Sequence, residues 1–331
     1  MTKIADLVIH DEFAAYVLQA MLDRSTLLKS GIAATDAKIA ELCAAAGAGG
    51  NFINLPFFNS LDSADNGDAE VLVENQALTP KKITANKDVA VICRRGKAFA
   101  ATDLAAMTAG ADPMLAIANG LADWWNKQHN KRLIATLNGA LGAVSDLVKD
   151  ITQETDSVVT ADALLDAAQL LGDRKSELTA YAMSSATETH LQKLEGSDLF
   201  KPSELPGNLK VYNGRLVIVD DNIAAGTVYL FAPGAVAFNS CPVEKPVEPY
   251  REELKSQGGI VSRDASILHV RGIKWATTDI NPTNATLANA EKWARVYETK
   301  AIRVCKLVGT LGTDAGTGSD AGTDAGTGTG A

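Results

Sequence analysis

The chain has 331 residues, 46% of them apolar and 21% charged, which is a globular composition with enough apolar surface for one elaborated domain or two smaller ones. The net charge of −9 argues against a nucleic-acid reader with a broad basic face. The four cysteines, Cys43, Cys93, Cys241 and Cys305, include no CxxC pair, so zinc-ribbon and redox spacings are absent and the usage fits a reducing compartment.

The N-terminal MTKIADLVIHDEF carries Asp6 and too short an apolar run for a secretory signal. Residues 10–28 predict an amphipathic helix, with Phe13, Tyr16, Val17, Ala20, Met21 and Leu28 at helical spacing. Thr35 is the expected N-cap of a second short helix, DAKIAELCAAA, which AGAGG stops. The uncharged stretches 42–61 and 222–243 are each broken by Gly, Pro and Asn, so neither predicts a membrane span. The expected protein is soluble and cytoplasmic.

Residues 51–100 read as a long two-stranded excursion with a ragged tip. NFINLPFF predicts a strand, NSLDSADNGD a polar loop, EVLV a short strand and KKITANKDVAVICRRGKAFAA a longer one. Such a ribbon is marginal alone and needs a surface to lie on.

Asp112 and Pro113 are a strong helix start, N-cap followed by N1. From there Ile117, Leu121, Trp125, Leu133, Leu137 and Leu141 keep one face apolar for about 30 residues, or about 45 Å. Gly120 and Gly139 interrupt this helix at about 1 kcal/mol each and are expected to mark close packing.

From residue 150 the pattern alternates. Thr160 caps ADALLDAAQLLG, with Gly172 at its end; LTAYAMS, LKVY, RLVIVDD, TVYLFAP, SILHVRG and GIKWATT predict strands, and SATETHLQKL a helix. Residues 241–249, with Pro242, Pro246 and Pro249, read as a loop. Residues 309–331 are nearly all Gly, Thr, Ala and Asp and predict a flexible acidic tail.

No HExxH, GxSxG, P-loop or Rossmann spacing occurs, and His10, His129, His190 and His269 stand apart from any zinc pattern. Asp220 and Asp221 end a strand, where an acidic pair can hold Mg²⁺, but without a second acidic cluster they read as a solvated turn. Arg94, Arg95 and Lys97 form the densest basic run and read as a solvated or interface face. Lys127, Lys131 and Arg132 lie beside Trp124 and Trp125, a pattern that can stack a base, although a Trp on an apolar helix face more often belongs to the core. His129 reads as structural. The expectation is therefore a non-enzyme with no catalytic, cofactor-binding or metal-ligating residues, whose unsupported ribbon is meant for neighbours.

Three stretches in order carry a family resemblance: FINLPFFNSL with the return EVLVENQALTPKKITANKDVAVICRRGKAFAATDLA, then DPMLAIANGLADWWNKQHNKRLIATLNGAL, then NPTNATLANAEKWARVYETKAIRVCKLV. Over about residues 1–308 the chain resembles tailed-bacteriophage major capsid proteins with the Hong Kong 97 fold. The resemblance implies an α+β chain divided into an N-terminal arm (1–50), an extended β-hairpin loop (51–100), a peripheral domain with the spine helix (101–150 and 281–308) and an axial domain (151–280), followed by the tail (309–331). It implies pentamers and hexamers of an icosahedral head around double-stranded DNA, in the virion after assembly in the host cytoplasm. Expected partners are further copies, a separate scaffolding protein, a portal and a decoration protein. It implies that the final strand pairs with the ribbon base. Some members cross-link a loop Lys to a neighbour's Asn; Lys81, Lys82 and Lys87 lie in the loop, but no partner Asn with a catalytic Glu is visible. The rival readings are an encapsulin-like shell and a cytosolic α/β enzyme with a site near Asp220 and Asp221.

Overall fold

A computed structural model describes residues 33–46, 50–59, 61, 69–72, 74, 77–78, 80–103, 113–195, 200–202 and 210–312. The helix expected over residues 10–28 and most of the polar ribbon tip lie outside the described residues.

The described residues begin with strand β1 (Ala33–Ala34) and helix α1 (Ala37–Ala46). The cap of α1 is Asp36, not the expected Thr35: the Asp36 carboxylate accepts the Lys38 N–H at 2.9 Å, satisfying a first-turn amide. Strands β2 (Phe52–Phe58) and β3 (Ala85–Val91) form the antiparallel ribbon, in register from Phe52 opposite Val91 to Phe58 opposite Ala85. The described residues of EVLV, 70–72, are not in a strand. The long return strand expected after it is broken at Ile92, and β4 (Cys93–Thr102) leaves the ribbon for another sheet. Alternation alone does not show which neighbour a strand will choose.

Helix α2 (Pro113–Gly142) runs for 30 residues as its apolar stripe requires. Leu121, Trp125, Leu133, Leu137 and Leu141 are all buried. The two glycines differ. A Cβ on Gly139 would stand 1.9 Å from the Leu287 carbonyl oxygen and 2.6 Å from Trp293 Nε1, so Gly139 is where another segment touches the helix backbone. A Cβ on Gly120 would meet nothing, which overturns the expectation of close packing there.

Next come β5 (Val148–Asp150), α3 (Ala161–Gln169), β6 (Ala180–Met183), α4 (Ser185–Glu195), β7 (Phe200–Pro202), β8 (Lys210–Tyr212), β9 (Arg215–Val219) and β10 (Thr227–Phe231). Thr160 caps α3 as predicted, its hydroxyl accepting the Ala163 N–H at 3.3 Å. The remaining strands are β11 (Val236–Ser240), β12 (Val247–Glu252), β13 (Gln257–Val270), β14 (Ile273–Trp275), β15 (Trp293–Arg295) and β16 (Val304–Val308), with the one-turn helix α5 (Asn284–Leu287) between β14 and β15. The expected loop over residues 241–249 ends inside β12. Pro249 is tolerated there because β12 lies at an edge of its sheet, where one side needs no N–H.

Two main sheets result. One has the order β5-β16-β10-β6-β9-β8-β7; α3 packs on β16 and β5, and Leu191 of α4 is buried in the same core. The other has the order β1-β11-β13-β12, with β4 paired along β13 over ten positions, and α2 lies across it. This grouping cuts across the expected division. Strands from residues 236–270 join the sheet of β4 and α2. The closing strand β16 pairs with β10 and β5, not with the ribbon base. Apolar matching favours this place: Val304 on one face of β16, and Cys305 and Leu307 on the other, are buried in the core that holds Val228, Leu230 and Phe231. The start of the expected tail is also held. Thr310 N–H donates to the Ser157 carbonyl at 2.7 Å and Gly309 N–H to the Gly226 carbonyl at 2.9 Å.

Helix α2 joins the sheets. Its Leu133, Leu137 and Leu141 share one core with Tyr181, Leu230 and Phe231. Asn138 accepts the Tyr229 hydroxyl at 2.6 Å and Lys306 Nζ at 2.9 Å.

Candidate assembly surface

The ribbon is clamped at one end and bare at the other. At its base Ile53, Ala90 and Ile92 are buried with Ile39 and Cys43 of α1 and with Ala237 and Ile267 of the β11–β13 sheet. Phe57 meets Tyr297 edge-on, with ring centroids 4.6 Å apart. Asp88, on β3, is buried, its Oδ2 2.9 Å from His269 Nε2 and accepting the Gly272 N–H at 3.0 Å. Burial by itself would raise this carboxyl. The His269 ring and the Gly272 and Val89 amides outweigh it and hold Asp88 below the usual carboxylate range. The His269 ring in turn stacks on Trp293. An acid in the ribbon, a histidine on β13 and the closing segment are thus one polar joint.

Away from the base, the apolar side chains lose their cover. Phe58, Leu61, Val71, Leu72, Leu78 and Ile83 are all exposed, Val71 by 84% and Phe58 by 70%. They make up six of the eleven exposed large apolar residues among the described residues. An exposed apolar concentration of this kind marks a surface for contact, whereas single exposed leucines do not.

The basic run at the ribbon base is structural. Arg94 Nη1 donates to Asn51 Oδ1 and Nη2 to the Gly50 carbonyl, both at 2.6 Å, and its backbone N–H donates to Asn281 Oδ1 at 2.8 Å. Arg95 donates to the Pro282 carbonyl. The Asn-Pro turn of the closing stretch is therefore fastened to the strand that leaves the ribbon. Asn281 takes a left-handed φ of 53°, which Asn tolerates better than most residues.

The long-helix cluster separates. Lys127 and Lys131 are exposed, whereas Arg132 is 2% exposed, with Nη1 2.5 Å from Ser266 Oγ and 3.6 Å from Asp264 Oδ2. Trp125 is fully buried and donates Nε1–H to Ser262 Oγ at 2.8 Å, so the core reading holds and base stacking by Trp125 does not. His129 is buried between Trp125 and Phe238, with Nε2 3.9 Å from Asp264 Oδ2. Burial lowers its pKa against the pull of Asp264, so the neutral ring is favoured.

Asp220 and Asp221 form a turn. Asp220 accepts the Asn222 backbone and side-chain N–H groups at 2.9 and 2.6 Å, and Asp221 accepts the Ser185 N–H at the start of α4 at 2.9 Å. Among the described residues, no three His, Cys, Asp or Glu side chains stand where they could hold one metal ion. No helix there is long and apolar enough to cross a membrane.

A joined helix-and-sheet body with a projecting ribbon is an architecture that can be compared with known folds. The family described as major capsid protein 13-like (Gp13-like) matches residues 33–302. The chain belongs to that family of major capsid proteins. The major capsid protein of Bacillus phage SPP1 is 36% identical over 317 residues, covering 92% of this chain and 96% of the relative. Among solved structures, the capsid of Ralstonia phage GP4 superposes with a TM-score of 0.54 at 8% identity, covering 80% of this chain and 84% of that one. A structure from Microbacterium phage Oxtober96 gives 0.52 at 9%, covering 78% and 86%. At such identities these two structures speak for the fold alone.

The capsid chain thus has the Hong Kong 97-type fold that its sequence resembles, and it is a structural component of a tailed-phage head. Its relatives are shell proteins, which sets aside the enzyme reading and disfavours the encapsulin-like one. Sequence reasoning missed the Asp88–His269 joint and the meeting of Cys43 with Cys241. Neither pair has a local signature: 181 residues separate the first and 198 the second.

Proposed function

We propose that copies of this capsid chain form pentamers and hexamers of an icosahedral shell around double-stranded DNA, and that the ribbon of each copy lies across its neighbour. The exposed Val71 and Leu72, with Phe58, Leu61, Leu78 and Ile83 on the same excursion, carry this reading. Full burial of such a side chain is worth about 1.5–3 kcal/mol, so a neighbour that covers several of them gains enough to orient one subunit on the next.

In this reading the N-terminal arm is residues 1–50 and the extended loop is residues 51–92. The peripheral domain is α2 with the sheet of β4 and β11–β13 and the closing segment through Ile302. The axial domain is the seven-stranded sheet with α3 and α4, including β16. Residues 313–331 are the tail. The partners are a separate scaffolding protein, a portal, a decoration protein and packaged DNA held without sequence-specific contact. Assembly takes place in the host cytoplasm. Negative net charge suits a shell around DNA, because an acidic shell does not trap the duplex it encloses.

The test is a Val71→Asp/Leu72→Asp double variant, produced with the phage's other head proteins. Both residues are exposed, so the folded subunit should keep its circular dichroism and its melting midpoint within the small change usual for surface substitutions. Electron microscopy and light scattering should show free subunits or malformed particles. Normal shells at wild-type yield would refute the neighbour-spanning role.

A further inference from the structure

The two thiols that sequence spacing keeps apart meet under helix α1. Cys43 is fully buried, Cys241 is 6% exposed, and both are free cysteines. The two Sγ atoms stand 2.7 Å apart, closer than two nonbonded sulfurs normally approach. A covalent S–S bond spans about 2.05 Å, so little motion separates contact from bonding. Ile39, Ile53, Ala90 and Ile267 pack around the pair, with Ser262 and Asp264 on the cleft side of Cys241. A cleft of about 470 Å³ opens on Cys241, walled by Ala44, Pro242, Val243 and Ser262. It has room for a water-sized oxidant.

We propose that Cys43 and Cys241 are a redox-sensitive pair that a small peroxide converts to an intrachain disulfide, fastening α1 to the end of β11. Cys241, the sulfur on the cleft wall, loses its proton and attacks one peroxide oxygen. The O–O bond breaks, Cys241 becomes a sulfenic acid, and the departing hydroxide takes up the proton as water. Cys43 then attacks the Cys241 sulfur. The S–S bond forms, the S–O bond breaks, and the hydroxyl leaves as water with the Cys43 proton. Two thiols are oxidised by two electrons in all, and one peroxide is reduced to two waters.

The bond would join segments 198 residues apart, in the part of the chain that leads from the N-terminal region into the sheet. A link that closes so long a loop confines the unfolded chain and slows loss of the α1 contact. Cys93 and Cys305 serve as internal controls. Both are buried, and neither lines the cleft that opens on Cys241.

The experiment uses the full chain treated with hydrogen peroxide, then unfolded in denaturant with an alkylating agent. Titratable thiols should fall from four to two, and non-reducing peptide mapping should recover the Cys43 peptide joined to the Cys241 peptide, released by dithiothreitol. Cys43→Ser should abolish the joined peptide; the wild-type thiol count and map decide the matter even if that variant folds poorly. Four thiols remaining after peroxide would overturn the proposal. So would two thiols lost as sulfinic acids without a joined peptide, or a link that involves Cys93 or Cys305.

Discussion

Helix α2 offers one substitution at two sites with opposite expected signs. Gly120→Ala and Gly139→Ala both replace glycine by the best helix former, and each gains about 1 kcal/mol from backbone propensity. At Gly120 the new methyl enters open space, so the gain stands and the variant should be about 0.5–1 kcal/mol more stable. At Gly139 the methyl would lie 1.9 Å from the Leu287 carbonyl oxygen, about 1.5 Å inside ordinary contact. That oxygen is backbone, fixed by α5, and it accepts the buried Trp293 Nε1–H at 2.8 Å. Overpacking of this kind costs about 1–3 kcal/mol, and a buried donor left without its acceptor costs a further 1–3 kcal/mol or so. After the propensity gain, Gly139→Ala should be about 1–5 kcal/mol less stable. Urea denaturation of unassembled subunits, followed by circular dichroism, measures both variants against wild type. Trp293 fluorescence should change in Gly139→Ala alone. A Gly139→Ala subunit as stable as wild type would refute the claim that close contact at this glycine positions the closing segment.

Other outcomes follow from the same physics. Trp125→Ala should lose about 3–5 kcal/mol and most soluble yield, since Trp125 is fully buried and its N–H is satisfied by Ser262; expression and melting curves test this. Asp88→Ala should strand buried His269 and loosen the ribbon base, read as faster hydrogen exchange at Ala90 and Ile92, whose amides face β2, while the amides of β10 stay protected. Because the Asp88 pKa is depressed in the folded state, the stability it contributes is present above the ordinary carboxylate value of about 3.9 and is lost as pH falls below it; Asp88→Asn should flatten that part of the acid denaturation curve. His129 is also depressed, so the folded state resists its protonation and stability should decline as pH falls below about 6.5, a slope that His129→Phe removes. Truncation after Gly312 should leave the melting midpoint unchanged, whereas truncation after Val308 should lower it by removing the Gly309 and Thr310 hydrogen bonds.

Sequence by itself determined what depends on near neighbours in the chain. The 3.6-residue stripe of α2, its proline start, the Thr160 cap, the short strands of the α/β region and the loneliness of the ribbon are all local matters of propensity and periodicity. The order of three such segments was enough to expose the family. Partner choice was not local. After the break at Ile92, β4 pairs with β13 over ten positions, and β16 pairs with β10, where Val304, Cys305 and Leu307 become buried. Tertiary contact alone decided that Arg132 is buried while its neighbour Lys131 is solvated, that Gly139 is crowded while Gly120 is open, and that Asp88 meets His269 and Cys43 meets Cys241. A side chain's burial and its partner are set by whatever surface the rest of the chain brings against it. No window of sequence contains that surface.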